Sequence, residues 1–533
     1  MKKIPPYLLN HSSPRGIHLG DPIRCGAYRL LIFLVILAGI TLSCNFTASQ
    51  QSDGLEDSSR PVEPTATDIE SLPPAISPSA VEAGDCTYFV TPGGDDGQDG
   101  DLEHPWASFE QAAQQAVAGD VVCFFGGIYV SETIQLTHSG EPGRMITFTA
   151  YPGDKPMLDG QGGVGGLLVF SQGVSYIRLS GFGLRGFSDW GIELSGSNRQ
   201  IHLDHLHISG GEASIRLTYG EREEPPREGP VEGVIVEDSL FQGPQFTALD
   251  CTPGPCNQIT LRRLEVFNAG VGGADSYGAD GIAIARGRDI VVEECYVHDN
   301  GGDGIDLNSR DRQGNISGVV VTRNRVVRNH LNGIKIWAGG RIENNLVWGQ
   351  GNSALWVGTW DSTIEIINNT IAYNMWDPTF SGRNWVLAAG YPEDNPRPVV
   401  DLTLVNNIFA FNADPLEGGA VGIYLGPGVQ LTESHNLYFS RADGEITAEF
   451  ISGRDTDITR QEIADGVWNS LSGSGVGDLV EDPLFLSPWP DVDLHLQPGS
   501  PAIDASNRQY APAVDLEGNP RREAPDLGAY EMR

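Results

Sequence analysis

Residues 363–374 read TIEIINNTIAYN and residues 402–412 read LTLVNNIFAFN. Each joins a short run of alternating aliphatics to a second apolar run through an Asn-Asn pair. The same plan recurs upstream as IVVEECYVHDNG (290–301), VVVTRNRVVRNH (319–330) and GRIENNLVWGQG (340–351). Alternation with a period of two marks strands with one buried face. Asn324, Asn345, Asn369, Asn407 and Asn436 hold one place in successive units, separated by 21, 24, 38 and 29 residues. A repeat of this length built on β-alternation is a solenoid. Asparagines stacked at one turn hydrogen-bond along the axis as a ladder. Cys295 stands in the same place one unit earlier, which reads as a buried core thiol. The irregular period argues against a propeller or a leucine-rich array. It suits a right-handed parallel β-helix, which accepts insertions on one face. The predicted fold class is therefore all-β, a right-handed parallel β-helix. TYGEREEPPREGPVEG (218–233) and MWDPTFSGRNWVLAAGYPEDNPRP (375–398) read as such insertions.

Composition agrees. Gly 67 and Pro 34 in 533 residues favour short strands and turns over long helices. One short helix is predicted in SFEQAAQQAV (108–117), where Phe109, Ala112, Ala113, Ala116 and Val117 share a face, as a cap at the start of the β-helix. The β-helix is assigned to residues 86–440. Residues 441–533 are expected to form a C-terminal extension packed on it.

The first 85 residues differ in kind. Arg24 and Arg29 precede LLIFLVILAGITLSC (30–44), an apolar run of signal-core length, too short for a membrane span. Residues 1–43 are assigned as a signal peptide. The ending TLSC resembles the bacterial lipoprotein signal, which implies lipidation at Cys44. Residues 44–85 are rich in Ser, Pro, Thr and acids and read as a disordered tether. The expected location is extracellular or at the cell surface, with membrane contact only through the N-terminal anchor.

The remaining cysteines fit export. Cys86 and Cys123 lie in strand-like runs, CTYFV and VVCFF, and Cys251 and Cys256 flank TPGP. Two disulfides among these four, with Cys295 left as a thiol, is the expected accounting; the spacings alone leave the pairing open.

Charge narrows the partners. The formal net charge is −36, and the leader carries five basic residues and one aspartate, so its removal leaves −40. Nucleic acid needs a basic face and is excluded. An anionic polymer would be repelled unless a cation mediates the contact. A monomer is expected.

Only four lysines occur: Lys2, Lys3, Lys155 and Lys335. Lys335 stands in LNGIKIW (331–337), which aligns with ADGIAIA (279–285) and GDGIDLN (302–308) as a D-G-I-x-aliphatic element. The isoleucines face inward, and Ala283, Asp306 and Lys335 face outward on successive rungs about 4.8 Å apart. Asp280 and Asp303 become neighbours just before the strands. Such a carboxylate cluster suits a hard divalent cation with oxygen ligands.

These three segments resemble the site segments of the family nine pectate lyases, which are right-handed parallel β-helices. The resemblance implies Asp280, Asp303 and Asp306 as ligands of calcium (Ca2+) and Lys335 as the base. The family's paired Asp-Asp is Gly302-Asp303 here. Residues 88–129 resemble the opening of many secreted β-helix proteins. The tail DPLFLSPWPDVDLHLQPGSPAIDAS (482–506) with DLEGNPRREAPDLGAYE (515–531) resembles a common C-terminal segment of such proteins.

The expected function is a secreted or surface-tethered polysaccharide lyase that cleaves a pectate-like uronate polymer by calcium-assisted β-elimination. Trp337, on the same side as Lys335, is the candidate sugar-stacking residue. Two alternatives stand beside it. One is a non-catalytic surface β-helix that binds glycan or acts as a scaffold. The other is a glycoside hydrolase using Asp303 and Asp306 as an inverting pair, although this leaves Lys335 without a role.

Overall fold

This computed structural model describes residues 81–533, apart from residues 218–228, 253, 271–278, 309–315, 375–384, 391–397, 413–421, 440–444, 451–453, 473–474 and 488–491. The assigned signal peptide, Cys44, most of the tether and most of both assigned insertions lie outside the described residues. Among the described residues, no helix is long and apolar enough to cross a membrane.

The chain winds into a right-handed parallel β-helix. One face is a 13-stranded parallel sheet running from Tyr88–Val90 to Val429–Ser434. The other faces are parallel ladders in which each strand pairs with its counterpart one turn later. Between named strands, the antiparallel pairs are near the C-terminus: Glu445–Phe450 with Arg454–Thr459, and Phe485–Ser487 with Asp493–Leu496.

The core follows from the two-residue period. Leu179, Leu203, Val236, Leu261, Val292, Val321, Ile342, Ile366 and Leu404 stack in one column in register, each essentially fully buried. A one-residue slip in any unit would move its aliphatics to the surface, so register is strongly set.

The predicted ladder is present. The side-chain amide of Asn324 donates to Asn345 Oδ1, Asn345 to Asn369, Asn369 to Asn407 and Asn407 to Asn436, each at 3.0 Å. The Cys295 N–H donates to Asn324 Oδ1 at 2.9 Å, and its thiol is buried and free. A second polar ladder runs parallel to the first. Asn300 donates to Asn329 at 2.9 Å, Asn329 to Gln350 at 3.2 Å and Asn374 to Asn412 at 3.1 Å, with Gln350 N–H bridging to Asn374 at 3.3 Å. The ladders pair amides that are buried at the turns.

Helix Phe109–Gln115 lids the N-terminal end. Ser108 caps it by accepting from Gln111 N–H at 3.1 Å. The Phe109 ring lies 4.9, 5.0 and 5.6 Å from those of Phe124, Phe148 and Phe182. The helix stops at Gln115, so Val117 leaves the expected apolar face and is 58% exposed. Cys86 is bonded to Cys123 and Cys251 to Cys256.

The C-terminal tail lies along the later turns. Asn344 and Asn368 donate to Val514 O at 2.7 Å and Asp526 O at 3.1 Å, and Asn406 donates to Asn507 O at 3.0 Å. These are the first members of the Asn-Asn pairs. Their left-handed backbone, φ 53°, 52° and 63°, turns them outward while the second members enter the ladder.

Candidate active site

The inward column Ile215, Leu249, Ile282, Ile305, Ile334, Leu355 and Leu387 anchors the face that carries the candidate residues. One residue later comes an outward column: Arg216, Asp250, Ala283, Asp306, Lys335, Trp356, Ala388 and Tyr424. Two residues before each inward position runs a second column: Ala213, Thr247, Asp280, Asp303, Asn332 and Ser353. It is tied by main-chain bonds such as Gly281 N to Asp303 O at 2.9 Å and Gly304 N to Asn332 O at 2.8 Å. The Asp306–Lys335 register is as expected.

The two columns bring Asp280, Asp303 and Asp306 together. All three are buried, and one oxygen from each lies within 4.8 Å of the others. Lys335 Nζ donates to Asp303 Oδ2 at 3.1 Å and to Asp306 Oδ2 at 3.4 Å. Its side chain is 14% exposed. Burial alone would lower the lysine pKa, but Asp303, Asp306 and Asp280 outweigh it and hold the ammonium well above its ordinary range. Burial, reinforced by Asp303 and Asp306, pushes the Asp280 carboxyl well above the usual carboxylate value.

Orientation comes from neighbouring amides. Asn332 donates its backbone N–H to Asp303 Oδ1 at 2.8 Å and its side-chain amide to the same oxygen at 2.7 Å. Asn308 donates to Asp306 Oδ2 at 3.0 Å. The Asp303 N–H donates to Asp280 Oδ1 at 2.8 Å. Asn332 was not among the residues singled out from sequence. Its signal is its place in LNGIKIW, in the column of Asp280 and Asp303.

Gly302, where the family pattern has an aspartate, is closed off by packing. A Cβ there would lie 2.7 Å from the Ala279 carbonyl carbon, 2.9 Å from its oxygen, and closer still to Asp280 Oδ1. The neighbouring Asp299 is held by Arg328 at 2.8 and 2.6 Å and by His298 at 2.7 Å, outside the cluster.

Trp337 is 8% exposed. The Lys335 ammonium sits 4.9 Å from its ring centroid, and Trp360 meets it edge-on at 5.9 Å. Outward on this face is thus not the same as exposed. Trp356, in register with Lys335 one rung on, and Trp385, stacked on Tyr424 at 4.7 Å, continue an aromatic wall C-terminal to the lysine.

The sequence profile described as Pel9A-like, right handed β-helix region, matches residues 88–222, and that of a right handed β-helix region matches residues 190–371. The chain is 25% identical over 356 residues to YwoF, an uncharacterized protein of Bacillus subtilis strain 168, across 56% of this chain and 76% of that one. It is 35% identical over 88 residues to the pectate lyase PEL9 of Emericella nidulans, 16% of this chain and 21% of that one. The structure of XylC with xylose superposes with a TM-score of 0.52 at 13% identity, over 84% of this chain and 98% of that one. The pectate lyase Pel9A superposes with a TM-score of 0.49 at 15% identity, over 85% and 99%. The matches support a pectate lyase-like β-helix protein.

Proposed function

We propose that this pectate lyase-like β-helix protein is an exported, calcium-dependent polysaccharide lyase that cleaves a uronate polymer by β-elimination. The observation that carries the reading is one amine, Lys335, within 3.1 and 3.4 Å of two carboxylates of a three-aspartate cluster. The donor set fits a hard cation, because Asp280, Asp303 and Asp306 offer only oxygen and converge from neighbouring rungs. Bound calcium would offset the negative charge of both protein and polymer and stabilise the charge that develops on the uronate carboxylate.

The chain's own residues do the rest. Lys335 Nζ removes the proton α to the carboxylate, a carbon–carbon double bond forms, and the glycosidic oxygen on the β carbon departs with the bonding pair. The base must be neutral to act. Engaging the three aspartates elsewhere removes what holds the ammonium charged. Trp337 and Asn332 are positioning residues: the ring fixes the lysine side chain, and the amide fixes Asp303.

An inverting hydrolase fits less well. Its carboxyl groups stand about 6.5–9.5 Å apart to admit a water, whereas the converging oxygens here lie within 4.8 Å.

The test is ultraviolet absorbance of unsaturated product from polygalacturonate and other uronate polymers, with calcium and then with chelator. Calcium-dependent product is expected, with Lys335→Ala at least about a hundredfold slower. Absence of product on every uronate polymer overturns the reading.

A further inference from the structure

The two columns continue past the acid cluster. Thr247 lies one rung before Asp280, and Asp250 two rungs before Asp306. Here the face opens into a cleft of ≈ 270 Å³, lined by Trp190, Arg216, Phe246 and the carboxylates of Asp189, Glu212 and Asp250. Small residues make the room. Ala213 follows Trp190 in register, and Ala283 separates Asp250 from Asp306.

We propose that this cleft is a subsite for a neutral pyranose unit, so that the polymer is a heteropolysaccharide rather than a homouronate. The inference rests on the lyase reading for the direction of the polymer along the columns and for the uronate unit at the cation site. Three features carry it. Phe246 is 46% exposed and lines the cleft, an apolar wall of the kind that receives the C–H face of a sugar ring. The Arg216 guanidinium lies 5.3 Å from the Trp190 ring centroid, which fixes its fork of donors at the cleft. The lining carries three carboxylates against one guanidinium. Carboxylates are acceptors for hydroxyl donors, whereas a second carboxylate would meet like charge. The uronate unit belongs at the cation site, and the cleft, about 10–14 Å away along the axis by rung spacing, suits an uncharged one.

The experiment is saturation-transfer NMR on the purified protein with galactobiose, xylobiose, cellobiose and a rhamnosyl disaccharide, alongside titration with tetragalacturonate. At least one neutral disaccharide is expected to bind, at least fivefold more weakly in Phe246→Ala and in Asp250→Asn. Tetragalacturonate affinity should change less than twofold in Phe246→Ala. No neutral binding, binding indifferent to Phe246→Ala, or equal loss for tetragalacturonate overturns the subsite. Neutral binding that depends on Phe246, in a protein that yields no unsaturated product, would leave the subsite standing and remove the lyase reading.

Discussion

Asn332 turns its backbone N–H and its side-chain amide to a single oxygen of Asp303, at 2.8 and 2.7 Å, and leaves the other oxygen to Lys335. The aspartate is thereby fixed in rotation, one oxygen tied to the scaffold and one presented to the site. Asn332→Ala removes the side-chain half of that arrangement. A hydrogen bond to a charged group is worth about 1.5–3 kcal/mol, so product formation should fall roughly tenfold to a hundredfold. Asn332→Gln should recover little, because the longer side chain misplaces the amide. An unchanged rate would show that Asp303 needs no such support.

Lys335 is the counter-charge of a buried acid cluster as well as the proposed base. Lys335→Met strands three buried carboxylates. Breaking a buried charge set costs about 3–5 kcal/mol. Thermal unfolding without calcium should shift down accordingly, and millimolar calcium should restore most of the loss. A variant that calcium fails to rescue would argue against a cation at these aspartates.

Gly302→Asp would restore the family's ligand pair in sequence, and the packing forbids it. The new Cβ meets Ala279 backbone at 2.7 Å. Forcing a side chain into such a contact costs about 1–3 kcal/mol. Lower thermal stability and weaker, not tighter, calcium binding are expected, measured by calorimetry.

The C-terminal end of the first ladder supplies a pH test. Asp478 Oδ1 accepts from Asn436 N–H at 2.9 Å, the place an asparagine fills elsewhere. Burial, together with a hydrogen bond to Glu433 and its charge, raises the Asp478 carboxyl to about 9. The folded state keeps a proton that the unfolded chain releases near 3.8. Its stabilising contribution is therefore full below that value and drains away as pH rises towards about 9. Asp478→Asn keeps the acceptor and removes the ionisation. Its melting temperature should match the wild type near pH 4 and exceed it increasingly up to pH 9. Parallel pH profiles would disprove the buried acid.

The β-helix was legible because its repeat is local. Alternating aliphatics and one asparagine per turn recur within units of a few tens of residues, and the D-G-I-x alignment brought Asp280, Asp303, Asp306 and Lys335 to neighbouring rungs. What escaped the reading depends on contacts between distant segments. Asn344, Asn368 and Asn406 hold a tail that lies 170, 158 and 101 residues further along the chain. Gly302 reads as a missing ligand in sequence, yet it is a close backbone contact with the previous rung. Strand alternation puts Trp337 on the outer side correctly. It says nothing of Lys335 and Trp360, which cover the ring.

The ladder spacings of 21, 24, 38 and 29 residues leave the amide-to-amide distance at 3.0 Å throughout. Whatever length of chain a unit spends on its loops, the next strand returns to the same pitch. Loop length and rung spacing are thus independent variables in this architecture. A change in the length of a loop therefore leaves the pairing of Asp306 with Lys335 on neighbouring rungs as it is.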